Sequence, residues 1–178
     1  LFTENYRRFK LASSDFVEPI YKMEVEASTE KAKPDEKLCF VIMPIGKQGT
    51  KEYKQFKAIF DSIIKPAVEF DDNGKPTGLK CERADEVVRT GNIPRDIIEK
   101  LASAEIVIAD LTTKNPNVFY ELGVRHSLHQ KTIMIVQSPE DIPFDVSNYR
   151  AIIYDPIVGL AEESIEQIRL MVKTLLTS

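Results

Sequence analysis

At 178 residues and 43% hydrophobic content, the chain is long enough to bury one full domain core and short for two. A net charge of −4 leaves no basic face for nucleic acid, and no apolar run approaches the roughly 20 residues of a membrane span. The only cysteines, Cys39 and Cys81, each fall inside an apolar strand-like run, so they read as reduced core residues of a cytoplasmic protein and not as a disulfide framework.

The chain begins at Leu1 in place of Met, as an excised fragment or a processed product would. Phe2, Tyr6, Phe9 and Leu11 lie among charges at helical spacing, and Phe16, Val17, Ile20 and Tyr21 suggest a second docking segment. Residues 26–37 have almost no apolar content and read as a solvated linker. The first 36 residues are therefore taken as an appendage, and 37–178 as one α/β domain.

Leu38 to Met43 is a continuous apolar run, the pattern of a central parallel strand covered on both faces. Pro44-Ile45-Gly46 ends it, and a polar loop with Lys47 and Lys51 follows. From Tyr53 to Phe70, apolar residues recur at helical spacing, with Pro66 expected to kink or limit the helix. Leu79 to Ala84 is a second strand, giving way to Asp85. Thr90-Gly91-Asn92 opens a helix carrying Ile93, Ile97, Ile98 and Leu101, with Asp96 in its first turn.

Ile106-Val107-Ile108-Ala109 is a third, buried strand, and Asp110 ends it. Asn115-Pro116 starts the next helix: an amide side chain to cap free N–H groups, then proline at the first helical position. Val118, Leu122, Leu128, Phe119 and Val124 are its apolar contacts, and Gly123 suits close helix-to-sheet approach. Glu121 lies one turn inside it. Its plain explanations are an acid offsetting the helix dipole, or an i,i+4 salt bridge with Arg125. Lys131 to Val136 is a fourth strand, and Ala151 to Tyr154 a fifth at the sheet edge. An amphipathic helix from Leu160 to Leu176 closes the chain.

Strands alternating with helices imply a doubly wound, flavodoxin-like sheet of about five mostly parallel strands, order 2-1-3-4-5. Loops after strands one and three would then flank one crevice, where ligands of open α/β sheets bind. Glu121 and Asp110 are expected there, with Pro44, Gly46, Asp85, Asn115 and Asn117 as substrate contacts. Each has a plainer alternative: Pro44-Ile45-Gly46 as a turn, Asp85 as a cap, Asp110 satisfied by the N–H of Thr112 or Thr113, and Asp96 as a first-turn acid. His126 and His129 have no third ligand at useful spacing, so no metal is expected.

Four stretches, Phe40-Val41-Ile42-Met43-Pro44-Ile45-Gly46, Arg83-Ala84-Asp85, Ile106-Val107-Ile108-Ala109-Asp110-Leu111-Thr112 and Asn115-Pro116-Asn117-Val118-Phe119-Tyr120-Glu121-Leu122-Gly123, resemble the nucleoside 2-deoxyribosyltransferase-like superfamily. More narrowly, they resemble its bacterial nucleotide-binding and predicted deoxyribohydrolase branch, related in fold to TIR domains and often found beside defence or signalling modules. The resemblance implies that Glu121 is the nucleophile at the anomeric carbon and that Asp96 assists the departing base. The transferases carry an acid six residues before the nucleophile, where this chain has Asn115. Their positioning tyrosine has no counterpart in Met43-Pro44-Ile45.

The expected activity is therefore N-glycosidic cleavage of a nucleoside, nucleotide or NAD-like molecule, by hydrolysis more than by transfer. Asp110 or Asp96 would serve the leaving base, and Asn117 would orient Glu121 or meet sugar hydroxyls. No cofactor is required. A homo-oligomer is expected, with a fused or partner signalling domain. The competing readings are a non-catalytic nucleotide sensor and an assembly domain with a vestigial crevice.

Overall fold

A computed structural model describes residues 37–86, 93–128, 130–157 and 161–177. The expected N-terminal segments, the Thr90-Gly91-Asn92 helix start and His129 lie outside them.

Five strands form one parallel sheet: β1 (Lys37–Ile42), β2 (Leu79–Arg83), β3 (Ile106–Asp110), β4 (Thr132–Val136) and β5 (Ala151–Ile153). Their order is β2-β1-β3-β4-β5, as the alternation of elements implied. Cys39 to Ile42 and the whole of β3 are buried, because helices cover both faces.

On one face lie α1 (Lys51–Ile59), α2 (Lys65–Glu69) and α5 (Ala161–Thr177), packed on Val41, Cys81, Ile108, Ile135 and Ile152. On the other lie α3 (Ile93–Ser103) and α4 (Pro116–Ser127), packed on Phe40, Ile42, Val107, Ala109 and Met134. Pro66 does not end the helical run, which continues through it as α2. Instead a π turn, Phe60–Ile64, widens the helix just before it, and the Lys65 N–H bonds back to Phe60 O, five residues away. The π turn places the irregular pairing immediately before the proline, which has no N–H to continue the ladder. Cys39 and Cys81 are register partners in β1 and β2, both buried and both free thiols. Among the described residues, no helix is long and apolar enough to cross a membrane.

Candidate active site

The turn between β3 and α4 is built by hydrogen bonds that the sequence encodes locally. Asn115 caps α4, its Oδ1 accepting from the Asn117 N–H at 3.0 Å, and Pro116 follows at the first helical position. Before it, Thr113 and Lys114 hold φ of 65° and 52°, a left-handed conformation that costs a β-branched residue energy. The Thr113 N–H donates to Asp141 Oδ2 at 3.0 Å, and the Lys114 N–H to Leu111 O at 3.1 Å. Strained loops of this kind concentrate at ligand sites.

Glu121 sits in the second turn of α4, half-buried, beside the stripe of Val118, Leu122 and Arg125 that faces the sheet. It has no hydrogen-bond or ion-pair partner among the described residues. Burial alone pushes its carboxyl up to about 7. The Arg125 salt bridge is not formed. Arg125 is fully buried, donating through Nη1 to Leu101 O at 2.6 Å and to Gln130 Oε1, and through Nη2 to Ala104 O at 3.0 Å and Lys131 O at 2.9 Å. It ties the ends of α3 and α4 together, a structural task that takes its charge away from Glu121.

That tie also fixes the helix register. Arg125 meets the last turn of α3. Asp96 lies in the first turn of α3, half-buried, on the same face of the sheet as α4. Asn115 and Asn117 belong to this group as well, the first half-buried and the second exposed. These four are the predicted residues that the fold gathers on one face.

Asp110 is not among them. Strand alternation turns it to the opposite face with Ile106 and Ile108, and it is fully buried. Thr112 donates to its Oδ1 through N–H at 3.0 Å and through its hydroxyl, and Tyr154 donates its hydroxyl to Oδ2 at 2.7 Å. Desolvation still lifts the Asp110 carboxyl to about 6, against the downward pull of these donors. With both oxygens held by protein donors and no exposure, it is a buried hydrogen-bond centre and not a group poised over substrate. The plain reading through Thr112 is the one the geometry matches.

Asp85 is likewise engaged. It binds Arg83 at both Nε and Nη2, the latter at 2.6 Å, and Arg83 is 1% exposed beneath the rings of Tyr53 and Phe60. Asp85 is thus a counter-ion to Arg83, and the start of the next helix, which it would cap by the plainer reading, lies outside the described residues. Pro44 is buried at the end of β1. Gly46 is exposed with φ of +69°, and an added Cβ would lie 3.1 Å from Tyr53 N and from Glu52, so only glycine lets the loop close on α1. Gly123 faces open space, so it does not serve close helix-to-sheet packing.

Sequence reading missed Tyr154, Gln137, Arg83 and Arg125 as polar anchors. For Tyr154 a signal was present: it follows Ile152 at inward spacing, and a buried tyrosine hydroxyl needs a partner. Arg83 follows Leu79 and Cys81 on the inward face of β2, where a charge demands a counter-ion. His126 stacks on Tyr149 with ring centroids 4.8 Å apart, and no cluster of metal-ligating side chains occurs among the described residues.

No protein-family model matches the sequence, and no curated protein matches it. Among solved structures, the chain is similar to a 2-deoxyribosyltransferase from Leishmania mexicana. Identity there is 16% and the TM-score 0.44, over 70% of this chain and 81% of that one. It is also similar to a CMP N-glycosidase from Clostridium botulinum, at 17% identity and a TM-score of 0.49, over 75% of this chain and 98% of that one. These are likenesses of overall fold, and the site is read from this chain's own residues.

Proposed function

We propose that the protein is an N-glycosidase that hydrolyses the base–sugar bond of a nucleoside, nucleotide or NAD-like molecule through Glu121. One observation carries this: Glu121 is a partly desolvated carboxyl, without a partner among the described residues and with a pKa near 7, near the start of a helix at the carboxyl end of the sheet. Structural acids of that kind are normally neutralised by a cation or by backbone donors.

The reaction follows from the charge that develops. As the C–N bond breaks, its electron pair leaves with the base and positive charge builds on the sugar. A Glu121 carboxylate oxygen bonds to the anomeric carbon, and Asp96 or a water protonates the base nitrogen. Water then hydrolyses the glycosyl ester, freeing the sugar and restoring the carboxylate. Asn117 is the group for sugar hydroxyls. Pro44 and Gly46, at the end of the neighbouring β1, form the adjoining wall. Hydrolysis is favoured over transfer because Asn115, spent on capping, stands where the transferases carry an acid.

The test is base release from a panel of nucleosides, nucleoside monophosphates and NAD. Glu121→Gln and Glu121→Ala should each lose at least about a hundredfold in rate. Equal release by all three proteins removes the proposal. Tight nucleotide binding without turnover in any of them would replace it with the sensor reading.

A further inference from the structure

A cleft of about 510 Å³ opens at the carboxyl ends of β4 and β5, where the chain passes into α5. That is the size of a small-ligand site. It lies by the α5 face of the sheet, and none of the residues assigned above to cleavage lines it. Its polar groups are held in fixed orientation from behind. Tyr154, 1% exposed, gives its one hydroxyl hydrogen to Asp110 at 2.7 Å, so its oxygen can only accept. Gln137 Nε2 fills that role at 2.8 Å, which sets the amide with nitrogen inward and leaves Oε1 without a partner among the described residues.

Across the cleft, Ser164 is 4% exposed, and its Oγ accepts from the Asp155 N–H at 3.0 Å. Its hydroxyl hydrogen has no acceptor among the described residues. The walls thus present one oriented acceptor, Gln137 Oε1, and a serine hydroxyl that can turn to donate. Ile153 and Ile157, both more than half exposed, add apolar surface. Among the described residues the charged lining is Asp155 and Glu163, with no lysine or arginine, so a phosphate would meet repulsion.

We infer that this cleft binds an uncharged nitrogen heterocycle with an amide-like edge, a nucleobase or a pyridine carboxamide, and excludes the phosphorylated nucleotide. The inference stands independently of Glu121 chemistry. If that chemistry holds, the cleft is a second site for the class of product it releases.

The experiment uses the full chain carrying Glu121→Gln, so that turnover does not change the ligand, and titrates cytosine, adenine, nicotinamide, CMP and AMP by calorimetry. At least one free heterocycle should bind, and at this cleft, read as the binding that Gln137→Leu removes, CMP and AMP should be weaker by about tenfold or more. Comparing the two bases with nicotinamide separates the two heterocycle types. Gln137→Leu and Ser164→Ala should each weaken binding about tenfold. Because either change touches a buried group, Glu163→Lys on the exposed rim gives a further arm, expected to narrow the gap between base and nucleotide. The inference is overturned if no heterocycle binds at millimolar concentration, or if Gln137→Leu weakens nucleotide binding as much as it weakens base binding. It is also overturned if binding survives Gln137→Leu but is lost in Glu121→Ala, which would put the base in the other site. Failure of the Glu121 proposal is read separately, from base release by the wild type.

Discussion

Replacing Glu121 with glutamine should abolish activity and yet make the protein more stable, by an amount that depends on pH. Burial raises the carboxyl from 4.5 to about 7, which disfavours its ionised form in the fold. The sign follows from linkage: the protonated acid favours folding fully below pH 4.5, and that margin is lost as pH rises through 7. At about 1.36 kcal/mol per pH unit, the ionised fold carries a burden of up to about 3.4 kcal/mol. Partial exposure of the side chain screens this to about 1–2 kcal/mol. Glutamine has the shape of the acid without the charge, so at pH 8.5 its Tm should lie about 3–6 °C above wild type. At pH 4 the difference should vanish, because the acid is then neutral in both states. Thermal melts of both proteins at the two pH values make the measurement, with base release assayed in parallel. An equal gain at both pH values would refute the electrostatic argument, and no gain at pH 8.5 would mean that Glu121 is solvated. A stability gain coupled to lost turnover is the mark of a carboxylate kept desolvated for its chemistry.

Arg125→Met should cost about 3 kcal/mol or more in urea denaturation at pH 7, because the carbonyls of Leu101, Ala104 and Lys131 lose their buried donor. A loss below about 1 kcal/mol would show that the two helices hold without it. Asn115→Ala should lower stability by about 1 kcal/mol through the lost cap, while Asn115→Asp keeps the melting point. Equal melting of all three would deny the cap its role. Asp110 is raised from 3.8 to about 6, so it favours the fold most below pH 3.8 and loses that margin through pH 6. Tyr154→Phe removes a donor to the ionised form and should add a loss of about 1–3 kcal/mol at pH 8, with little change at pH 4. A pH-independent penalty would mean that the hydroxyl supports packing only.

The sequence by itself determined the architecture and the start of α4. Alternation of buried strands with amphipathic helices, and the right hand of parallel crossovers, leave few arrangements, and the order 2-1-3-4-5 is one of them. The Asn115 cap and Pro116 are local chemistry, readable within three residues. Which acids would meet was decided only in three dimensions. Asp110 lies eleven residues before Glu121, but strand alternation turns it to the other face, where Tyr154, 44 residues away, takes its second oxygen. Arg125 had an obvious partner four residues earlier, yet the carbonyls at the end of α3 and just before β4 offered a buried site that a surface ion pair could not match. Side-chain partners are set by long-range packing, whereas caps and periodicities are set by neighbours. For that reason strands and caps were legible in the sequence and the alliances of its charges were not.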